Sequence, residues 1–288
     1  MVPSVQIGRN VESLPASLVY MITTAQIEQW LKEDIGPHDV TNAVPGKTAG
    51  ELVSKESGVV AGLSAATRVF EYLDVDSTAT VEDGDQVTPG EVVLRVTGEA
   101  QPILRGERVA VNITGHASGV ATLTHRAVEE AHSVDESVQI AATRKTTPGL
   151  RGIEKRAVVA GGGDTHRLTL SHMVLIKENH IAEMGLETAI EQFREQVSFT
   201  TKIEVEVERP QTGRKAAQAG ADVVLFDNLS PAEVKRGVEH LPEDTTAEAS
   251  GGIRLGDVAD YAATGVDIIS MGALTHSAPT LDFSFQTG

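Results

Sequence analysis

The sequence predicts a parallel α/β barrel that follows a region of short strands and turns. Three observations carry this prediction. Beyond residue 138, runs rich in Val, Ile and Leu alternate repeatedly with helical stretches, the pattern of a parallel sheet with crossover helices. That alternation holds no dinucleotide-type glycine fingerprint set between a strand and a helix, which favours a barrel over a nucleotide-binding open sheet. Polar and glycine residues recur at the carboxyl ends of the strand candidates, where a barrel gathers its site. An open doubly wound sheet is the alternative.

Residues 1–20 form an extension ahead of the pattern and lack the basic-then-apolar order of a secretory signal. A helix is predicted over 23–34, where Thr23 and Gln26 can form a capping box and Ile27, Trp30, Leu31 and Ile35 share a face. The segments ELVSKESGVVAG and TVEDGDQVTPGEVVLRVTG read as strands punctuated by Asp-Gly and Pro-Gly turns. The second superficially resembles a biotinyl or lipoyl carrier hairpin, but no Lys stands at its turn. Residues 102–132 are predicted to be helical. Strands are expected at 138–143, 173–177, 202–207, 222–227, 245–249 and 266–271, with helices at 187–197, 213–219, 231–240 and 255–264.

Charge narrows the function classes. Lys and Arg number 24 against 41 Asp and Glu, a formal net charge of -17, which argues against general binding to nucleic acid or anionic membranes. An acidic surface suits a salty cytoplasm, and the absence of cysteine excludes disulfides, thiolate nucleophiles, Fe–S clusters and Cys-ligated zinc. No apolar run approaches the roughly 20 residues of a membrane span, so a cytoplasmic protein is expected. Residues 142–180 reverse the balance. Arg144, Lys145, Arg151, Lys155, Arg156, Arg167 and Lys177 face only Glu154, Asp164 and Glu178 there, with His166, His172 and His180 among them. A basic island in an acidic chain suits an anionic small molecule.

Alternation within strands adds direction. In KIEVEVE, Ile203, Val205 and Val207 share the face that must pack on helices, so Glu204 and Glu206 point into the barrel. Lys177 points inward by the same logic, and Asp227 ends the next strand. Buried carboxylates require cations or a metal as partners. Ser250, Gly251 and Gly252, and then Gly272 and Ala273, follow the last two strands, where freed backbone N–H groups can hold phosphate. GGGDTHR (161–167) follows a helix rather than a strand and is read as a flexible turn presenting His166 and Arg167.

Together these segments resemble the quinolinate phosphoribosyltransferase family (nicotinate-nucleotide pyrophosphorylase, carboxylating). The resemblance runs from about Met21 onward through EDIGPHDVT, GERVAVNITGHASGVAT, TRKTTPGLR, GGGDTHR, LIKENHI, EVEVE, LFDN, EASGGI and MGALTHS. It implies a type II phosphoribosyltransferase fold: an N-terminal α/β sandwich domain (21–130, joined by 277–288) and an incomplete parallel α/β barrel (131–276). It implies a homodimer or higher assembly, with Arg108 acting across the interface. It further implies transfer of phosphoribosyl from 5-phosphoribosyl-1-pyrophosphate to quinolinate, with Mg2+, giving nicotinate mononucleotide, pyrophosphate and carbon dioxide in NAD biosynthesis.

By that resemblance Arg144, His166 and Arg167 bind quinolinate, with Lys145 and Lys177 close by. Lys145, Lys177, Glu206 and Asp227 are the expected catalytic set, and Glu206 and Asp227 the expected metal ligands. Ser250, Gly251, Gly252, Gly272, Ala273 and His276 are expected at phosphate. Ala142, Thr165, His172 and Glu178 depart from the commoner family residues without removing a charge contact. A related phosphoribosyltransferase acting on nicotinate, a Schiff-base lyase using Lys177, and a non-catalytic nucleotide sensor are the competing readings.

Overall fold

The structure is a computed structural model that describes residues 22–288; the extension predicted at 1–20 lies outside the described residues. The first helix, α1 (Thr24–Ile35), starts at the predicted capping box: Thr23 accepts the Gln26 N–H, and the Gln26 side chain accepts the Thr23 N–H. Ile27 and Leu31 are its buried positions, one helical turn apart on one face.

An antiparallel sheet follows, in the order β12 (Phe283–Thr287), β1 (Lys47–Ser54), β5 (Val92–Glu99), β3 (Asp76–Ala79). The short strands β2 (Gly58–Val59) and β4 (Gln86–Val87) pair with each other. Helix α2 (Leu63–Tyr72) covers this sheet with Leu63, Ala66 and Phe70, which join Leu52, Leu94 and Val96 in one apolar cluster. The strands predicted around the Asp-Gly and Pro-Gly turns are present as β4 and β5, and β3 lies just ahead of that segment.

Helix α3 (Ala100–His132) runs for 33 residues and contributes to both apolar clusters. Its inward positions are mostly Ala, Gly, Ser and Thr, so other backbone comes close. A Cβ on Gly119 would lie 2.0 Å from the Pro279 carbonyl oxygen. That gap lets the returning chain cross α3 and add β12 to the edge of the first sheet.

The second sheet is six-stranded and parallel, in the order β6 (Gln139–Ala142), β11 (Ile268–Met271), β10 (Thr246–Ser250), β9 (Val223–Asp227), β8 (Ile203–Val207), β7 (Val174–Ile176). Its first strand in the chain is bonded to its last. This neighbour relation decides for a barrel, because an open doubly wound sheet ends on different strands. The ring stays open between β6 and β7. Asp164 exchanges backbone bonds with this edge of β6: its N–H donates to Ile140 O at 2.8 Å, and Ala142 N–H donates to its carbonyl at 3.0 Å. The GGGDTHR segment is therefore not the flexible turn expected from its glycines. It is held as a strand-like bridge on the open edge.

Helices α4 (Arg151–Ala160), α5 (Glu178–Met184), α6 (Leu186–Gln196), α7 (Pro210–Gln218), α8 (Pro231–Val238), α9 (Val258–Ala262) and α10 (Ala273–His276) connect the strands. Ile203, Val205 and Val207 are buried toward the helices, as alternation requires. Among the described residues no helix is long and apolar enough to cross a membrane.

Candidate active site

At the carboxyl ends of the parallel strands lies a cavity of about 480 Å3. Lys145 and Thr143 from the β6 loop border it, as do Ser250, Gly251 and Gly252 after β10 and Gly272, Ala273 and His276 after β11. The structure thus unites the phosphate-seat residues expected from sequence. Gly251 and Gly252 have φ of 97° and 67°, values that L side chains rarely adopt. A Cβ on Gly251 would also fall 2.4 Å from the Asn228 backbone nitrogen. These glycines are required by the turn. Lys145 is anchored through its carbonyl, which accepts from Thr275 Oγ1 at 2.7 Å. Arg254 also borders this cavity. Sequence reasoning missed it because SGGI drew attention to backbone donors, although an Arg one residue beyond them was a visible signal.

Glu206 and Asp227 stand on neighbouring strands, Glu206 opposite Leu225 in the pairing of β8 with β9. Lys177 Nζ meets Glu206 Oε2 at 2.5 Å. Asp227 Oδ2 accepts from Asn228 Nδ2 at 2.6 Å. Burial first, then the Glu206 charge, pushes the Asp227 carboxyl above its ordinary value. A carboxyl whose ionisation is opposed by a neighbouring carboxylate suits a hard cation, which would remove the repulsion. Both side chains are only half-buried, leaving room for oxygen ligands from substrate and water. The chemistry of this pair fits Mg2+. Lys177 as a neutral Schiff-base nucleophile fits less well, because its ammonium is held in an ion pair.

The cations show the complementary deficit. Arg144 Nε is buried with no hydrogen-bond partner. Among the described residues, neither Arg144, Lys145 nor Arg167 has an acid within ion-pair distance. Arg167 is 9% exposed. Burial, then Glu204 and Arg144 in opposite senses, act on its guanidinium, with burial lowering its pKa. Buried guanidinium donors left unpaired are costly in the free protein and are relieved by a carboxylate. Arg108 lies elsewhere, exposed on α3 with Glu107 Oε1 3.9 Å away. The single chain does not bring it to the other cations.

His166 departs most from expectation. Its φ is 50°, and its ring turns into the barrel rather than toward the carboxyl ends. Nδ1 accepts the Arg167 N–H at 2.7 Å. Nε2 lies 3.3 Å from Glu248 Oε2 and 3.5 Å from Glu204 Oε2. Ser270 Oγ donates to Glu248 Oε1 at 2.5 Å. The ligand atoms of His166, Glu204 and Glu248 lie within 4.8 Å of one another, a spacing that could hold a metal. The hydrogen bonds argue otherwise. An Nδ1 that accepts leaves the ring proton on Nε2, which then has no lone pair for a cation and faces both carboxylates, while the two Glu204 oxygens are buried without a hydrogen-bond partner. Burial opposes charge on His166 while Glu204 and Glu248 favour it, and the net push is upward, again keeping a proton on Nε2. Burial raises Glu204 to about 7. The cluster is an imidazole set against two buried carboxylates. His166 and Arg167 also border a second cavity of about 300 Å3 at the amino ends of the strands, with Lys202 and Thr246. The expected quinolinate residues are therefore not gathered around one void in the free chain.

Comparison with known proteins agrees with this geometry. Residues 38–118 match the family described as "Quinolinate phosphoribosyl transferase, N-terminal domain", and residues 120–286 match its C-terminal domain. A probable nicotinate-nucleotide pyrophosphorylase [carboxylating] of Methanothermobacter thermautotrophicus is 43% identical over 270 residues, covering 90% of this chain and 97% of the relative. The Homo sapiens nicotinate-nucleotide pyrophosphorylase [carboxylating] is 37% identical over 285 residues, covering 96% and 95%. Among solved structures, NadC from Streptococcus pyogenes aligns with a TM-score of 0.86 at 35% identity, covering 96% of this chain and 98% of that one. The nicotinate-nucleotide pyrophosphorylase from Francisella tularensis aligns with a TM-score of 0.88 at 31% identity, covering 96% and 98%. With both halves of the chain matched, the cations left unpaired, and the acidic pair and glycine turns set at the strand ends, the chain belongs to the quinolinate phosphoribosyltransferase family.

Proposed function

We propose that the protein transfers the phosphoribosyl group of 5-phosphoribosyl-1-pyrophosphate to quinolinate, releasing pyrophosphate and carbon dioxide and leaving nicotinate mononucleotide. The observation that carries this reading is the excess of unpaired, partly buried cations, Arg144 above all, beside an acidic pair. A dicarboxylate satisfies the guanidinium forks, and a polyphosphate satisfies Lys145, His276 and the glycine turns. Arg108 would complete the site from a second copy in a homodimer or higher assembly.

In this reading the quinolinate nitrogen attacks C1 of the ribose as the C1–O bond to pyrophosphate breaks. The electron pair of that bond leaves with pyrophosphate, and positive charge develops on the ribose ring. Glu206 and Asp227 face that charge and the ribose hydroxyls, and Lys145 and Lys177 meet negative charge on substrate oxygens. Glu206 and Asp227 would also hold Mg2+, which supplies neutralisation of phosphate charge when bound. The ring nitrogen is then a pyridinium. The bond between C2 and its carboxylate breaks, its electrons are held next to the cationic nitrogen, and C2 takes a proton from solvent. No further protein base is required for loss of carbon dioxide.

The test is an assay for nicotinate mononucleotide from quinolinate, run beside nicotinate as the competing acceptor. Preference for quinolinate supports the reading, and preference for nicotinate overturns it.

A further inference from the structure

Two charged residues of α4 are fully buried, and the reaction as drawn uses neither. Glu154 and Lys155 are each 0% exposed. Burying an ion is expensive unless it is hydrogen-bonded, and apolar residues fill a helix–sheet interface at lower cost. Successive helical residues project roughly 100° apart, so one helix directs the two side chains at different loops.

Glu154 serves the first loop. Its carboxylate accepts the Thr147 N–H at 3.0 and 3.3 Å, and its Oε1 lies 3.0 Å from His116 Nε2. Thr147 closes the segment carrying Arg144 and Lys145, and within it the Thr146 N–H donates to Arg144 O at 3.0 Å. Lys155 serves the second. Its Nζ donates to the Thr165 carbonyl, directly before the left-handed His166 and before Arg167. Among the described residues Lys155 has no carboxylate within ion-pair distance. Burial, then the nearby Arg151 charge, pushes its ammonium down to about 8. Asp164 and Glu154 act against this push and Arg144 with it, so the amine sits among charges of both signs while its hydrogen bond goes to the Thr165 carbonyl.

We propose that Glu154 and Lys155 are paired positioning residues, each fixing from behind one of the two loops that present guanidinium groups to the dicarboxylate. The proposal rests on the reading of the site as a dicarboxylate site. It assigns affinity for the diacid alone to Lys155, while Glu154, whose loop also carries Lys145 beside the glycine turns, supports contacts to both substrates. Thr165 enters only through its carbonyl, so its side chain is free to vary.

The test uses the full chain with Lys155→Met and Glu154→Gln. Phthalate is the probe, because it carries both adjacent carboxylates and has no ring nitrogen to react. Calorimetry gives its affinity, and steady-state kinetics give KM for quinolinate and for 5-phosphoribosyl-1-pyrophosphate. Lys155→Met is expected to weaken phthalate and raise the quinolinate KM about 10-fold or more, as for a misplacement of positioned groups. The donor KM should stay within about 2-fold. Glu154→Gln retains one acceptor for Thr147 and should show a smaller loss in the same direction. Unchanged phthalate binding in Lys155→Met overturns the proposal, as does an equal loss for diacid and donor in that variant. Failure of both variants to give the wild-type thermal transition also overturns it, since the pair would then serve folding alone. A wild-type chain that binds phthalate but does not turn over quinolinate would refute the reaction and leave the phthalate comparison decisive for the positioning pair.

Discussion

Removing the Arg144 guanidinium isolates the diacid contribution better than any other single change. In the free protein its Nε is buried without a partner, and an orphaned buried donor costs roughly 1–3 kcal/mol. A carboxylate in the site removes that cost and adds a charge-assisted fork. Truncating one member of such a buried charged contact costs roughly 2–5 kcal/mol. Part of this is offset in Arg144→Ala, because the variant no longer strains the free state. A net loss of about 2–4 kcal/mol follows, corresponding to roughly 30-fold to 1,000-fold in quinolinate KM. Arg144→Lys keeps the charge and loses the fork, and should fall about 10-fold short of wild type. The assay is initial-rate kinetics with each substrate varied while the other is saturating. The donor KM should stay near its wild-type value, because Lys145 and the glycine turns remain. A quinolinate KM within about 3-fold of wild type, or parallel rises in both KM values, would refute the reasoning.

Other outcomes follow from the same geometry. Asp227→Asn should lower kcat by about 100-fold and flatten the response to added Mg2+; a retained Mg2+ saturation curve would show that Asp227 is not a ligand. Glu204 is held to about 7 against an ordinary 4.5, so the folded state keeps a proton that the unfolded chain loses first. Stability therefore falls as pH rises from about 4.5 to about 7, by up to ~3 kcal/mol, and the penalty is complete above that window. Denaturant unfolding of Glu204→Gln at the two ends of the window should show a smaller loss, and an identical loss would place the titration elsewhere. Gly251→Ala forces a side chain into a backbone with φ of 97° and to within 2.4 Å of the Asn228 nitrogen. It should cost about 1–3 kcal/mol in stability and raise the donor KM more than the quinolinate KM, which paired unfolding and kinetic measurements would check.

Much of this architecture is readable from residues alone because the forces involved are local or periodic. Apolar alternation identified the strands of the parallel sheet, since helices on one face and the barrel interior on the other demand different side chains at successive positions. It also put Glu204 and Glu206 on the interior face, where the structure has them buried and half-buried. The glycines after β10 were legible because a left-handed turn tolerates little else. Long-range pairings were not. Nothing near Asp164 announces its bond to β6, since the glycines before it suggest freedom while the backbone pairing is set by Ala141, 23 residues earlier in the chain. The His166 ring was read as facing a ligand because Arg167 adjoins it. Its direction is instead fixed by a positive φ and by Glu248, 82 residues away. In the sequence Lys155 is one cation of the basic island, and only the packing of α4 against α3 and β6 reveals that it is buried. Arg108 is a different case: its expected partners belong to a second copy.

The central claim is tested most directly with quinolinate labelled in the 2-carboxylate. In the presence of 5-phosphoribosyl-1-pyrophosphate and Mg2+, labelled carbon dioxide, pyrophosphate and nicotinate mononucleotide should appear in equal amounts. No labelled carbon dioxide should appear when the donor is omitted, because the ring nitrogen becomes cationic only after transfer. Release of label without the donor, or faster release of pyrophosphate with nicotinate than with quinolinate, would contradict the account.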